Sequence, residues 1–133
     1  MSSIFTKIIN REIPGYIVAE DEHNIAFLDI MPLVKGHLLV VPKEEVDYIF
    51  DLSDQTYARL MQFAKKVALA QEKVIPCTRI GVAVIGLEVP HVHVHLVPLR
   101  SMDDIDFSRA KLQLPKEEMQ RIAEKIKESF NRL

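Results

Sequence analysis

HVHVHLVP, residues 91–98, sets three of the chain's five histidines on alternate positions and closes on a proline. Side chains alternate along a strand, so His91, His93 and His95 fall on one face while Val92, Val94 and Leu96 fall on the other. Neighbouring histidines on that face are about 6.6 Å apart at Cα, and the outer two about 13 Å. One zinc ion, with nitrogens at about 2.0–2.1 Å, does not readily gather all three from a straight strand. Two of them can chelate, with further ligands drawn from His37, Cys77 or scattered carboxylates. A pH switch has the right group but lacks partner carboxylates at strand spacing. Incidental histidines on a surface strand are a poor account of so dense a cluster. Chemistry on phosphate accounts for the pattern best. An ordinary imidazole, titrating near about 6.5, offers a lone pair to an electrophilic phosphorus at neutral pH. The hydrogen bond made by one ring nitrogen decides which nitrogen attacks. Flanking histidines share positive charge, stand ready with a proton for a leaving group, and resist being protonated all at once.

RIGVAVIG (79–86) precedes this segment as another strand, separated by the short turn 87–90. GHLLVVP (36–42) is apolar on both faces and reads as a central, covered strand. YIVAED (16–21) and NIAFLDI (24–30) read as two strands joined tightly around Glu22 and His23. A short helix is expected over 3–12, capped by Ser2 or Ser3 and stopped by Pro14-Gly15. The long helix spans 54–73 behind Ser53, with Tyr57, Leu60, Met61, Ala64, Val67 and Ala68 as its apolar stripe. Pro115 opens a last helix over 115–130, striped by Met119, Ile122, Ala123, Ile126 and Phe130. A mostly meandering, mostly antiparallel sheet of about five strands with grouped helices predicts an α+β fold.

The 133 residues show no repeat or linker and are expected to form one domain, 1–133. The net charge of −2 offers no basic field for nucleic acid and no polybasic face for a membrane. The single cysteine, Cys77, fits a reducing compartment and is expected to be a buried small hydrophobe. The opening MSSIFTKIINRE is too polar for a secretory signal, so a cytoplasmic protein is expected.

His91-Val92-His93-Val94-His95-Leu96-Val97 resembles the signature of the histidine triad (HIT) family, three histidines alternating with apolar residues and followed by two more. IFTKIINREIP (4–14), AFLDIMP (26–32) and GHLLVVPK (36–43) resemble that family's other blocks in the expected order, over about residues 3–100, with a helical extension over about 115–131. The likeness is greatest to the Hint-type nucleoside phosphoramidases. It implies a purine nucleotide as substrate, a covalent nucleotidyl-histidine on His93, and His95 supporting departure of the leaving group. His91 and His37 are then buried histidines that orient the nucleophile, and Asp29 takes the ribose hydroxyls. Ile30, with Phe5, Ile8, Ile13 and Phe27, lines the slot for the base. The resemblance also implies a two-fold homodimer and requires neither metal nor organic cofactor.

The chain departs from that pattern before the first histidine. The family's loop there is usually longer and carries an Asn and a Gly-Gln step that hold phosphate oxygens. Here Val84–Pro90 retains Gly86, whose turn can cradle phosphate with backbone N–H groups, but Leu87 stands where Gln is usual. Glu88 follows, with Val89, in this nucleotide-binding stretch. Unit charges about 4 Å apart at an effective dielectric near 20 repel by about 4 kcal/mol, so a glutamate beside an anion needs an explanation. Either its side chain points away while its N–H binds, or it favours a cationic amine leaving group. Some family members hold a structural zinc partly through an N-terminal CxxC. Ser3 and Thr6 take those places here and are not soft ligands. Two other readings stand beside the enzyme: a nucleotide-binding module with little turnover, and a metal-dependent hydrolase using two strand histidines with His37.

Overall fold

The computed structural model describes residues 2–133. Among the described residues the chain forms three α-helices and a five-stranded sheet: α1 (Ile4–Ile9), β1 (Ile17–Glu20), β2 (Asn24–Leu28), β3 (Leu38–Pro42), α2 (Asp54–Val74), β4 (Arg79–Ala83), β5 (Val94–Leu99) and α3 (Lys116–Asn131). Every neighbouring pair is antiparallel, in the order β1-β2-β3-β5-β4. This is the expected α+β architecture. The meander breaks once: α2 carries the chain to the far edge, β4 forms there, and β5 returns into the gap beside β3. No helix among the described residues is long and apolar enough to cross a membrane.

Helix ends follow local chemistry. Ser3 Oγ accepts the Thr6 N–H at 3.0 Å and caps α1. The helix stops well before Pro14, because Arg11 turns into the left-handed region at φ 61°. Its N–H and that of Glu12 donate to the carbonyls of Ile8 and Lys7, a Schellman closure with arginine in the place usually held by glycine. Ser53 caps α2 through Thr56 N–H at 3.1 Å. Pro115 caps the start of α3, where Glu117 and Glu118 complement the helix dipole.

The three central strands, β2, β3 and β5, are buried on both faces. Val18, Ala26, Leu28, Leu38, Val40, Val94 and Leu96 pack against α2 and α3. Ile25, Phe27, Leu39 and Val41 face the other way, under Phe5 and Ile8 of α1. Each such Val, Leu, Ile or Phe side chain contributes roughly 1.5–3 kcal/mol by leaving water. The apolar seam of α2 is rotated from the stripe expected for it. Leu60, Phe63, Ala64, Val67, Ala70 and Gln71 are buried, whereas Tyr57 is 40% exposed and Met61 and Ala68 flank the seam. The stripe of α3 is as expected, with Phe130 against Phe63 at 5.9 Å. Cys77 is half-buried, not the buried hydrophobe expected, because it sits in the turn leaving α2.

Strand register builds a row across the sheet. Phe27 pairs with Leu39, Leu39 with His95, and His95 with Ala83, so His95 stands on the α1 side beside Leu39. β5 begins at Val94, not at His91. The N–H of Val92 donates to Val46 and that of His91 to Val89, so the first two histidines approach the sheet without joining its ladder. Buried Gln71 donates from Nε2 to Gly36 O at 2.8 Å and Leu96 O at 3.0 Å. It thereby locks the loop before His37 to the strand that carries His95. Gly36 sits at φ 88°, and a Cβ there would meet Ile75 at 3.0 Å, so the turn that presents His37 needs glycine.

Candidate active site

Backbone carbonyls and N–H groups fix the tautomers of His37, His91 and His93, and His37 in turn fixes that of His95. A carbonyl only accepts, so the ring nitrogen beside it must carry the proton. His93 Nδ1 lies 2.7 Å from the His91 carbonyl and donates to it, which leaves the lone pair on Nε2. His91 donates from Nε2 to Pro42 O at 2.8 Å and accepts the Ser3 hydroxyl at Nδ1, 2.6 Å away. Burial, opposed by that carbonyl, pulls its imidazolium below the ordinary value. The Phe5 ring packs T-shaped against the His93 ring from the α1 side, with centroids 4.9 Å apart.

A second chain of bonds runs in the opposite sense. The N–H of Leu33 donates to His37 Nδ1 at 3.0 Å, so His37 carries its proton on Nε2. That proton is donated to His95 Nδ1 at 2.9 Å, leaving His95 with its proton on Nε2. Burial first, then neighbouring charge, lowers His37 to about 3 and His95 to about 4, so both are neutral at pH 7. His93 and His95, 5.0 Å apart between ring centroids, thus present opposite chemistry: an acceptor Nε2 beside a donor Nε2–H. Neither Nε2 has a protein partner and neither is sealed, since Gln71 Oε1 is the one partnerless side-chain polar atom fully shut from solvent among the described residues.

Both rings line a cavity of about 410 Å³. His37 and Leu39 form its floor, and Phe5 and Ile4 bound it from α1. The turn 85–89 supplies another wall, with Gly86 at φ 72° as its left-handed residue. Glu88 is on this wall and exposed, and Leu87 is 88% exposed. Asp29 enters at the end of β2. Its Oδ1 accepts the Met31 N–H at 2.9 Å, and burial raises its carboxyl above the usual range against that bond. Asp29 Oδ2 lies 3.7 Å from His37 Nε2, too far for a hydrogen bond and, with His37 neutral, no ion pair.

Of the residues expected at the site, His37, His93, His95, Asp29, Phe5, Gly86, Glu88 and Val89 line this one cavity. His91 lies fully buried beneath it, behind His93. Ile8, Phe27 and Ile13 pack in the apolar cluster under α1, and Ile30 is 64% exposed, so these four are not on the wall.

The pattern described as the HIT domain matches residues 10–102, more than half of the chain and including all three clustered histidines. The chain belongs to the HIT family. An adenosine 5'-monophosphoramidase of Schizosaccharomyces pombe is 40% identical over 100 residues, covering 74% of each chain. A Hit-like protein from Bartonella henselae superposes with a TM-score of 0.83 at 31% identity, over 96% of each chain. A zinc-bound histidine triad protein from Mycobacterium smegmatis superposes at 0.85 with 25% identity, over 99% of this chain and 95% of the other.

Two groups in this HIT protein invite comparison with a metal site. Ligand atoms of Asp29, His37 and His95 lie within 4.8 Å of one another. Two nitrogens on one tetrahedral zinc, each at about 2.0–2.1 Å, would stand roughly 3.4 Å apart. The His37–His95 separation of 2.9 Å is instead that of a hydrogen bond. The second group is at Ser3 and Thr6. Glu45 Oε1 accepts the Ser3 N–H at 2.7 Å and the Thr6 hydroxyl at 2.6 Å, while the Ser3 hydroxyl reaches His91. This network is complete in itself and supports His91, hence His93. Glu45 gave no sign of that role in the sequence. Nor did Phe107, whose ring lies 4.7 Å from His95, or Lys111, on the cavity wall. Both come from the aperiodic stretch between β5 and α3, where no hydrophobic rhythm betrays a position.

Proposed function

We propose that this HIT protein hydrolyses purine nucleotide conjugates at the α-phosphorus through a covalent nucleotidyl-histidine on His93, without a metal. The observation that carries the reading is the opposed pair facing one cavity, His93 with a free Nε2 lone pair and His95 with an Nε2–H. His93 Nε2 bonds to phosphorus while the bond from phosphorus to the leaving nitrogen or oxygen breaks. The positive charge gained by the His93 ring is shared with the His91 carbonyl through Nδ1–H. His95 Nε2–H donates a hydrogen bond to the departing group or a phosphoryl oxygen, while the proton an amine takes up comes from solvent. Water then displaces His93, the P–N bond breaks, and the nucleoside monophosphate leaves with one proton released. Asp29, with two acceptor oxygens at the cavity edge, suits a ribose diol. The activity of the Schizosaccharomyces pombe relative supports the phosphoramidate as one substrate.

A panel of purine nucleoside phosphoramidates and dinucleoside polyphosphates, assayed after exhaustive chelation, tests this. Release of monophosphate at an undiminished rate is expected. Nucleotide binding without turnover would favour the binding-module reading, which the exposed Leu87 in the phosphate turn motivates. Loss of activity on chelation, restored by zinc, would favour the metal-dependent one.

The same reading includes a cytoplasmic, single-domain protein acting as a two-fold homodimer. β4 pairs on one side only, yet it exposes apolar Val82 (55%), continued by Ile85 (45%). Tyr57, Met61, Tyr48 and Phe50 extend that apolar surface beside the turn that walls the cavity. An unprotected apolar edge is a template for pairing with a second copy. Sedimentation at micromolar concentration is expected to give a dimer, and a monomer would contradict it.

A further inference from the structure

The cavity wall carries one lysine or arginine, Lys111, against the carboxylates of Asp29 and Glu88. With His37 and His95 neutral, a phosphoryl anion would meet two negative groups there if Lys111 were absent. Lys111 Nζ donates to the carbonyls of Phe107 at 2.7 Å and Arg109 at 3.1 Å. These two bonds aim the ammonium and leave one of its three protons unassigned. Among the described residues no carboxylate lies within 4.0 Å of it, so its charge is held in place but not neutralised. That charge is felt by Asp29, His37 and His95.

The stretch that carries Lys111 is built, not loose. Arg109 donates to Leu33 O at 2.6 Å and Asp103 O at 2.7 Å, and Leu112 N–H donates to Pro32 O at 2.8 Å. Its anchor, Pro32–Leu33, is the same segment whose N–H sets the tautomer of His37. Lys111 lies beyond residue 102, where the family match ends. The turn at 85–89, meanwhile, offers an apolar Leu87 and no amide side chain to a phosphate.

We propose that Lys111 is the phosphate-gripping cation of this site, binding the anionic phosphoryl group of the substrate where the turn supplies no side-chain donor. The proposal rests on the nucleotide reading above. Lys111 is then a specificity residue: it separates nucleotides from nucleosides while the base and ribose contacts treat both alike.

Calorimetry on the full chain tests it, with adenosine monophosphate and adenosine as the probes. Lys111→Met is expected to weaken the monophosphate by about 10- to 100-fold and to leave adenosine within about twofold. Lys111→Arg is expected to recover most of the loss, since the charge is kept. The salt dependence of monophosphate binding should be shallower in Lys111→Met than in the natural chain. Unchanged monophosphate affinity in Lys111→Met, or equal weakening of both probes, overturns the assignment, the second outcome marking damage to the 102–112 segment. The nucleotide reading fails separately, if the natural chain binds neither probe.

Discussion

Replacing His93 with alanine is expected to lower turnover of a purine nucleoside phosphoramidate by at least about 10⁴-fold while leaving nucleotide binding within a few-fold. The reason is geometric. His93 Nδ1–H is spent on the His91 carbonyl at 2.7 Å, and its Nε2 reaches the cavity without a protein partner. No other group on the wall has an equivalent free lone pair at a nitrogen. His95 points a proton into the cavity, His37 has both nitrogens occupied, and Lys111 is a cation engaged with two carbonyls. The substitution removes the proposed nucleophile without disturbing the partners of His91, so Ser3 and Pro42 keep their bonds. Steady-state kcat with binding measured separately checks this. Loss of binding in step with kcat, or kcat within tenfold of the natural chain (about 1.4 kcal/mol), would assign the chemistry elsewhere.

His37→Phe carries the second large effect, expected at about 100-fold in kcat with KM within about threefold. Without the His37 Nε2–H, nothing holds His95 Nδ1 as an acceptor, and its ring is free to place the proton away from the cavity. The same variant gives a stability readout with a definite sign. His37 and His95 titrate at about 3 and about 4 in the folded chain, below the 6.5 of an exposed imidazole. His91 is lowered as well. As pH falls below 6.5 the unfolded chain binds protons that the folded chain refuses, so stability is full above that value and declines with acidity. The decline from His95 ends near about 4 and that from His37 near about 3. Asp29, raised by burial, works in the opposite sense at the acid end. Each excluded proton contributes a slope of about 1.4 kcal/mol per pH unit. Denaturant unfolding between pH 6 and 5 should therefore be less steep in His37→Phe by about one proton. An unaltered slope would mean that His37 is not kept neutral by the fold.

Much of this site is written in local sequence pattern, and the remainder depends on contacts between distant segments. The alternation of HVHVHLVP put His91, His93 and His95 on one side, and the structure keeps them there although the ladder begins only at Val94. Periodicity survives in an extended approach segment because side-chain alternation needs extended backbone and not pairing. GHLLVVP delivered His37 through a glycine turn whose φ of 88° excludes most other residues. The buried seam of α2 turns toward Phe63, Ala70 and Gln71, the last polar by type yet buried and bound to two carbonyls. Glu45, Phe107 and Lys111 act on histidines roughly 46, 12 and 16 residues away along the chain, and their own neighbours carry no period to mark them. Tertiary placement, not propensity, gives them their roles.

Covalent nucleotidylation of His93 is the step on which the proposed mechanism turns. The most direct measurement is intact-protein mass after a rapid quench that avoids acid, followed by peptide mapping, with a purine nucleoside phosphoramidate as substrate. A mass increase of one nucleotidyl group is expected, located on His93 and absent from His93→Ala. A nucleotidyl group mapped to any other residue, or monophosphate release by His93→Ala at the natural rate, would contradict it.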